Sequence, residues 1–129
     1  KSNNLYLSSY NNNSESYFVK KVSSTLDANN MLTLSPFVGN GTGSSEDIGD
    51  GGQAIEAYAY LEGSRFLCKD KNGDILISDR ENNRIRRIFQ SNNLISTVIG
   101  SGSQDLNFEE SKPLKSVQLD APSTLLVDK

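Results

Sequence analysis

The sequence is constrained most by one stretch, residues 70–88, which reads DKNGDILISDRENNRIRRI. It opens with Asn72-Gly73, a pair of residues that tolerates the left-handed backbone needed to join two short antiparallel strands. The apolar run Ile75–Ile77 lies between polar ends, as is typical of a strand buried on both faces. After a polar corner, Arg84–Ile88 resumes with isoleucines three apart, and a five-residue segment between polar ends favours a second strand. The stretch therefore predicts a β-hairpin at the centre of the fold.

A degenerate copy of this hairpin lies near the beginning of the chain. Residues 4–8, NLYLS, correspond to residues 74–78, DILIS, at an offset of 70. Ser9 stands where the second copy has Asp79, and Phe18 stands where it has Arg84. Four residues, 14–17, interrupt the first copy. The sequence thus predicts two related β units, the first of which lacks the charged pair of the second.

The order of an apolar strand, Asp79, two further residues and then Asn82-Asn83-Arg84-Ile-Arg resembles the NHL repeat, the blade unit of one class of β-propeller. Two flanking pieces add to the resemblance. A glycine-rich segment at 49–52 looks like the arm that many such repeats carry, and residues 117–128 look like the start of a next blade. The positions that carry the motif are Gly49, Asp50, Gly51, Gly52, Asp70, Gly73, Asp79, Asn82, Asn83, Arg84 and Asp128.

The resemblance implies an all-β fold of four-stranded antiparallel blades, with about two blades in this chain, long arms between them and at most a short helix. Residues 1–64 would form a blade without its inner strand, plus an arm that carries a helix near 53–61. Residues 65–123 would form a complete blade and a degenerate arm, and residues 124–129 the inner strand of a next blade, all in one partial propeller domain. Pro36, which cannot donate a ladder hydrogen bond, fits an outer edge strand over Leu32–Val38.

Asp79 and Arg84 are expected to stabilise the fold. Both occupy matched motif positions at strand ends, where a buried or half-buried ion pair or hydrogen bond can tie strands together. The removal of one partner of a buried pair costs about 3–5 kcal/mol, because the other charge is left without compensation.

Composition excludes several kinds of site. The chain has no histidine and one cysteine, Cys68, so neither a Cys–His nucleophile nor a zinc cage can be built, and no disulfide can form within it. It has no apolar run long enough to span a membrane. We therefore expect no cofactor, no metal ion and no catalytic residue in this chain.

Nucleic-acid binding is disfavoured by charge, although it stays an alternative. The net charge is −3, whereas non-specific affinity for phosphate backbones comes from clustered lysines and arginines. Asp79 and Glu81 lie within the one basic cluster of the sequence, so a mixed solvated or blade-bracing face is the favoured interpretation. The candidate binding residues are Arg80, Arg84, Arg86 and Arg87.

Two further patterns have weak alternatives. The segment from Asp70 to Glu81 has the spacing of a calcium-binding loop, but Ile75 stands where that loop needs glycine, so a turn and strand are favoured. Residues 49–52 could cradle an anion with backbone N–H groups, but no Lys-Ser/Thr follows them as in a P-loop. Asn12 and Asn40 begin glycosylation sequons, which are used only in a secreted protein. The compartment stays open, with a slight preference for a secreted or extracellular protein.

The favoured function is a non-enzymatic β-propeller module for protein–protein interaction or structural assembly. The alternatives are part of a propeller enzyme whose active residues lie elsewhere, and an RNA-binding NHL propeller. Propellers close with about four to eight blades, so the expected partners are proteins, among them further copies of this chain or further blades of the same chain. Residues 124–129 match the strand that the first unit lacks, which places the two ends of the chain in phase.

Overall fold

The computed structural model describes residues 4–11, 16–39, 48–59, 67–103 and 113–128. The fold is all-β, as predicted, with two antiparallel sheets and no helix of seven or more residues in the described ranges. Sheet 1 contains β1 (Leu5–Asn11), β2 (Ser16–Leu26) and β3 (Leu32–Val38) in that order. Sheet 2 contains β4 (Leu67–Lys69), β5 (Ile75–Asp79), β6 (Arg84–Ile88) and β7 (Ile95–Ile99) in that order. Two 3₁₀ turns cover Ala54–Glu56 and Leu114–Ser116.

The predicted central hairpin is β5 and β6, and the turn before it connects β4 to β5. Gly73 has a φ of 95°, and Asn83 in the polar corner has a φ of 51°. Both lie in the left-handed region, which Gly adopts freely and Asn tolerates better than most residues. At the predicted turn Gly73 takes the left-handed backbone, whereas Asn72 does not have a positive φ.

The two sheets share their pairing register, which confirms the internal repeat as a structural one. Leu5 pairs with Val22 in sheet 1, and Ile75 pairs with Ile88 in sheet 2. The offsets between the equivalent residues are 75 − 5 = 70 and 88 − 22 = 66, so they differ by the four interrupting residues. The β1–β2 ladder continues for two pairs, Tyr10–Tyr17 and Asn11–Ser16, beyond the pair equivalent to Asp79 and Arg84.

The outer strands repeat the same irregularity. The pairing of β2 with β3 shifts between Val19 and Lys20, and that of β6 with β7 shifts between Ile85 and Arg86. A bulge of this kind bends a strand and raises its local twist. The shift at the same place in both sheets means that they have the same local geometry.

The hydrophobic core lies between the sheets. One face of sheet 1 supplies Val19 and Val38, which are 1% and 0% exposed, together with a tilted Tyr6–Phe37 ring pair whose centroids lie 4.7 Å apart. Sheet 2 and the arm that precedes it supply the rest of the core, namely Ile75, Ile77, Ile88, Ile95, Ala54, Ala57 and Ala59. The alternation of side chains along each strand directs these residues to one face.

Pro36 lies in β3, which is an edge strand of sheet 1, as predicted. The equivalent strand of sheet 2, β7, has residues 48–59 along its outer side, and we call this segment the first arm. The N–H of Gly51 donates to the carbonyl oxygen of Ile95 at 2.8 Å, and Gln53 forms an isolated antiparallel β-bridge with Leu94. The first arm therefore covers the outer edge of sheet 2, whereas no described strand pairs with the outer edge of β3 in sheet 1.

Three elements differ from expectation. The helix expected over 53–61 is the single 3₁₀ turn Ala54–Glu56, because Gln53 and Ala57 on either side have extended backbone and the arm bonds to β7; residues 60 and 61 lie outside the described ranges. Residues 124–128 form no strand, since none of the described strands pairs with them. The strand expected over 65–69 is observed as Leu67–Lys69, with 65 and 66 outside the described ranges.

Candidate functional site

The largest fully buried side chain among the described residues is that of Arg86 in sheet 2, which is 0% exposed. Its Nη1 lies 3.4 Å from Oδ2 of Asp79, which is also 0% exposed, and its Nη2 donates to Oδ1 of Asp50 at 2.9 Å. The same two nitrogens donate to the carbonyl oxygens of Tyr58 at 3.1 Å and Ile48 at 2.7 Å. Arg86 therefore ties the hairpin to the first arm through charge and backbone contacts together.

The partner of Asp79 differs from the one expected. Its carboxylate contacts Arg86 and accepts two bonds of 3.0 Å from the side-chain amide of Asn82. Arg84 lies directly across the ladder from Asp79, but it donates to the carbonyl oxygens of Asn82 and Ser101 at 3.1 and 3.0 Å. Arg86 lies two residues from Arg84 on the same face of β6, so its long side chain can reach the Asp79 carboxylate at the end of β5. Asp79 and Arg84 both bond within the fold, but to different groups.

Arg87 belongs to a second ion network on the opposite face of the hairpin. Its Nε donates to Asp74 at 2.8 Å, its Nη2 lies 2.7 Å from Asp70, and its guanidinium carbon lies 5.2 Å from the ring centroid of Phe89. The Arg87 side chain is 28% exposed. This network braces the β4–β5 turn against β6.

The four candidate arginines do not form one free basic surface. Arg80 pairs with the adjacent Glu81 at an exposed corner, and the other three contact the oxygen acceptors described above. A phosphate-binding surface needs guanidinium groups that are free to meet phosphate. These contacts favour the blade-bracing interpretation of the cluster.

The glycine-rich segment of the first arm uses its N–H groups internally. Gly49 and Gly51 have φ values of 73° and 85°, so the backbone turns where only glycine is unstrained. The N–H of Gly51 donates to Ile95 at 2.8 Å, and that of Gly52 donates to Gly49 at 3.2 Å. The Gly51 amide serves the contact with β7 and the Gly52 amide closes a turn within the arm, so neither of these two amides is available to cradle an anion.

Asp50 connects this segment to two strands of sheet 2. Its carboxylate accepts the backbone N–H of Thr97 at 2.9 Å in addition to the Arg86 bond. Burial by itself raises the pKa of Asp50, but hydrogen bonding from Thr97 and the charge of Arg86 outweigh it and hold the pKa below its ordinary value. Asp50 is therefore held as a carboxylate at neutral pH.

The turn that resembles a calcium loop is occupied by hydrogen bonds of its own. Oδ1 of Asp70 accepts the N–H groups of Asn72 and Asp74 at 2.8 and 3.0 Å, while its Oδ2 meets Arg87. In the described ranges no group of three or more Asp, Glu, His or Cys side chains could hold a metal ion. The turn therefore has the capped geometry of a tight connection between strands.

A cleft of about 160 Å³ lies between the inner edges of the two sheets. It is lined by Asn4 and Tyr6 beside β1, by all three residues of β4, and by Ile75. Burial, and then the charge of Asp70, raise the pKa of the Cys68 thiol in this cleft, so the thiol stays protonated at neutral pH. Among the described strands, only β2 pairs with β1.

The outer side of sheet 1 carries an apolar surface, which we call the open face and define by the exposed side chains of Leu5, Leu7 and Leu34; the buried Val22 lies on the same face. Val22 pairs with both Leu5 and Leu34, so these side chains share one face. Leu5, Leu7 and Leu34 are 58%, 43% and 53% exposed. Surfaces of this kind mark interaction sites more often than isolated exposed leucines do.

Sequence reasoning did not find the open face, because the alternating pattern of Leu5 and Leu7 is the same as that of a buried face. It also missed Arg86 as the link to the arm, since the contacts with Ile48 and Tyr58 span 38 and 28 residues. One signal in the sequence was the basic residue at this register position in both units, Lys20 in the first and Arg86 in the second. Asp128, a further motif position, is exposed in the segment that follows the second 3₁₀ turn.

None of the described helices is long and apolar enough to cross a membrane. Comparisons of the chain with protein-family models, with curated proteins and with solved structures find no match in any of the three.

Proposed function

We propose that this chain is a non-enzymatic module of an NHL-type β-propeller that binds protein partners and takes part in a structural assembly. The observation that supports this most is the repeat of one register, with the same shift, in two sheets packed face to face. Successive blades of a propeller are related in this way. A rigid pair of such sheets is a frame that presents loops and faces to other molecules.

The charged groups of the described residues support a binding role in preference to chemistry. Arg86 pairs with both Asp79 and Asp50, and Arg87 pairs with both Asp70 and Asp74. A general acid or base needs a perturbed group that can meet a substrate. These carboxylates instead hold the first arm and the turn.

The open face is the surface that we propose for protein binding. A test compares the chain with a Leu7→Glu/Leu34→Glu variant, both immobilised and exposed to an extract of the source organism. Proteins retained by the wild type should be lost on the variant, because two carboxylates would be desolvated in an apolar contact. Ile55→Glu serves as the control, since Ile55 is 42% exposed but lies on the first arm, away from the open face.

Equal retention by the wild type and the double variant would contradict the binding surface. The two alternatives have their own outcomes in parallel measurements. Turnover of a substrate by this chain would contradict the non-enzymatic role, and salt-dependent RNA binding that is lost on Arg80→Ala would favour the RNA alternative.

A further inference from the structure

One N–H group of the buried Arg86 guanidinium has no acceptor among the described residues. A guanidinium carries five N–H groups, two on each Nη and one on Nε. Nη1 of Arg86 contacts oxygen atoms of Tyr58 and Asp79. Nη2 contacts oxygen atoms of Ile48 and Asp50. Four of the five donors are thereby matched, whereas Nε is buried and has no hydrogen-bond partner in the part of the chain that the structure describes.

A second buried polar atom of this kind lies on the residue that faces Arg86. Arg86 pairs with Thr97 across the β6–β7 ladder, so the two side chains stand on the same face of sheet 2. Thr97 is 6% exposed, and its backbone N–H donates to Oδ2 of Asp50 at 2.9 Å. Its hydroxyl lies near the same carboxylate and helps to lower the Asp50 pKa. Oγ1 nevertheless forms no hydrogen bond of acceptable geometry with the described residues.

The two atoms are complementary in hydrogen bonding, although no direct bond joins them. Nε–H can only donate, whereas the lone pairs of a threonine hydroxyl can accept. A buried donor without an acceptor is costly, so buried polar groups that lack a protein partner are generally joined by an internal water molecule. Asp50 contacts both Arg86 and Thr97, and its carboxylate is a third polar group at this place. An internal water makes about two to four hydrogen bonds, which these three groups can supply.

The charges around these atoms determine which ligand fits. The carboxylates of Asp79 and Asp50 face the single positive charge of Arg86. An anion would add a third negative charge to this group, and a cation would meet the guanidinium and the Nε–H donor. A neutral molecule that both accepts and donates hydrogen bonds avoids both repulsions. Water is the smallest molecule of this kind.

Sheet 1 lacks both members of the pair. Lys20 occupies the register position of Arg86, and Pro36, which pairs with Lys20, occupies that of Thr97. Lysine carries its donors only on the terminal ammonium group, and proline has neither a hydroxyl nor a backbone N–H. Of the two sheets, only sheet 2 therefore has the facing donor and acceptor.

We propose that sheet 2 binds one internal water molecule between Nε of Arg86 and Oγ1 of Thr97. The water accepts the Nε–H, donates one hydrogen to Oγ1 and directs the other to the Asp50 carboxylate. It completes the hydrogen bonding of the guanidinium and joins β6, β7 and the first arm at one point. The site does not depend on the proposed function, because all of its contacts lie within sheet 2 and the first arm.

Solution NMR of the full 129-residue chain, labelled with ¹⁵N, tests the proposal. The Nε–H signal of Arg86 should show a nuclear Overhauser contact with water, of the sign that a long-lived bound water gives. Exchange of this proton with solvent should be at least about tenfold slower than that of the Arg80 Nε–H, since the two side chains are 0% and 38% exposed.

Two substitutions of Thr97 separate the water from the fold. Thr97→Val keeps the side-chain shape and the backbone N–H that bonds Asp50 but removes Oγ1, so the water contact at Arg86 should be lost. Thr97→Ser keeps the hydroxyl and should keep the contact. Ser96→Ala is the matched control, because it removes a hydroxyl from the opposite face of β7 and should leave the contact unchanged. The backbone amide spectra show whether each variant is folded.

A crystal structure of the wild type decides the same question if Thr97→Val does not fold. At a resolution that shows ordered waters, density should lie within hydrogen-bond distance of both Nε and Oγ1. Crystals soaked in bromide should give no anomalous signal at this point, because the site takes a neutral ligand.

Three results would overturn the proposal. A direct bond from Nε–H to Oγ1, without a water contact or density between them, would show that the two side chains satisfy each other. A water contact that persists in folded Thr97→Val would exclude Oγ1 as its acceptor. Bromide bound at the site would show that the ligand is an anion.

Discussion

Sheets 1 and 2 have the same antiparallel pairing and a register shift at the same place, yet their equivalent side chains have different surroundings. Ile77 is 1% exposed, whereas Leu7 at the same register position is 43% exposed. The first arm and sheet 1 cover sheet 2, and the open face of sheet 1 has no such cover among the described residues. The pairing of a sheet is therefore set by its own strands, but its burial is set by its neighbours.

The polar side chains differ in the same way. Arg86 is fully buried among Asp79, Asp50 and two carbonyl groups, while its equivalent Lys20 stands in a hairpin with Ser9 in place of the aspartate. Sheet 1 forms its ladder without that network. We infer that the network locks the arm onto the sheet and is not required for strand pairing.

The largest difference in stability between equivalent variants of the two sheets should appear when the buried guanidinium of Arg86 is removed. Arg86→Met should lower the free energy of unfolding by about 3–5 kcal/mol, because Asp79 is left buried without its cation. Lys20→Met at the equivalent position should change it by about 0.5 kcal/mol or less. Urea denaturation of both variants measures the difference, and equal losses would show that the network does not distinguish the sheets.

Ile77 and Leu7 occupy the same register position in the two sheets and give a second matched pair of variants. Ile77→Ala should cost about 2–5 kcal/mol, because a cavity opens in a core residue that is 1% exposed. Leu7→Ala should cost about 1 kcal/mol or less at low micromolar protein, where the open face is free.

A measurement of both variants at the same low micromolar protein concentration makes the comparison direct. A Leu7→Ala cost that already equals the Ile77→Ala cost in the dilute monomer would contradict the exposure of the open face.

Acid should loosen the first arm through Asp50. Because its pKa is lowered in the folded state, its contribution to stability is present above the unfolded-state pKa and is lost as pH falls through the folded-state pKa. Asp50→Asn should therefore flatten the pH dependence of the urea midpoint on the acid side of about pH 4. Asp50→Glu keeps the carboxyl group and should retain more of that dependence; identical curves for wild type and Asp50→Asn would contradict the link.

The smallest loss of stability is expected for the ion network that Arg87 forms with Asp70 and Asp74. Arg87→Ala should cost about 1 kcal/mol, since its partly exposed pairs with Asp70 and Asp74 are screened by solvent. Added salt should reduce that cost. Lys21→Ala at the equivalent position of sheet 1 is the control, and a salt-independent loss at Arg87 would show that its contact with Phe89 contributes more than its charge.

Much of the backbone could be predicted from local patterns. The turn at Asn72-Gly73 and the edge position of Pro36 follow from which residues accept left-handed φ or lack an N–H. The repeat of residues 4–8 in 74–78 follows from their matching apolar pattern. The helix expected near 53–61 was wrong, because helix propensity in a short alanine-rich stretch is weaker than backbone bonds to an adjacent strand. The NHL-type propeller remains a proposal.

By itself, the sequence determined two antiparallel hairpins and the relation between them, because strand pairing depends on a two-residue side-chain period and on turn residues that are local in the chain. Only the tertiary structure decided that Asp79 meets Arg86, that Leu7 is exposed where Ile77 is buried, and that residues 124–128 form no strand. Each of these depends on whether a second element, distant in the chain, lies against the first. Hydrophobic burial and ion pairing require that neighbour, whereas the turn and the alternation do not.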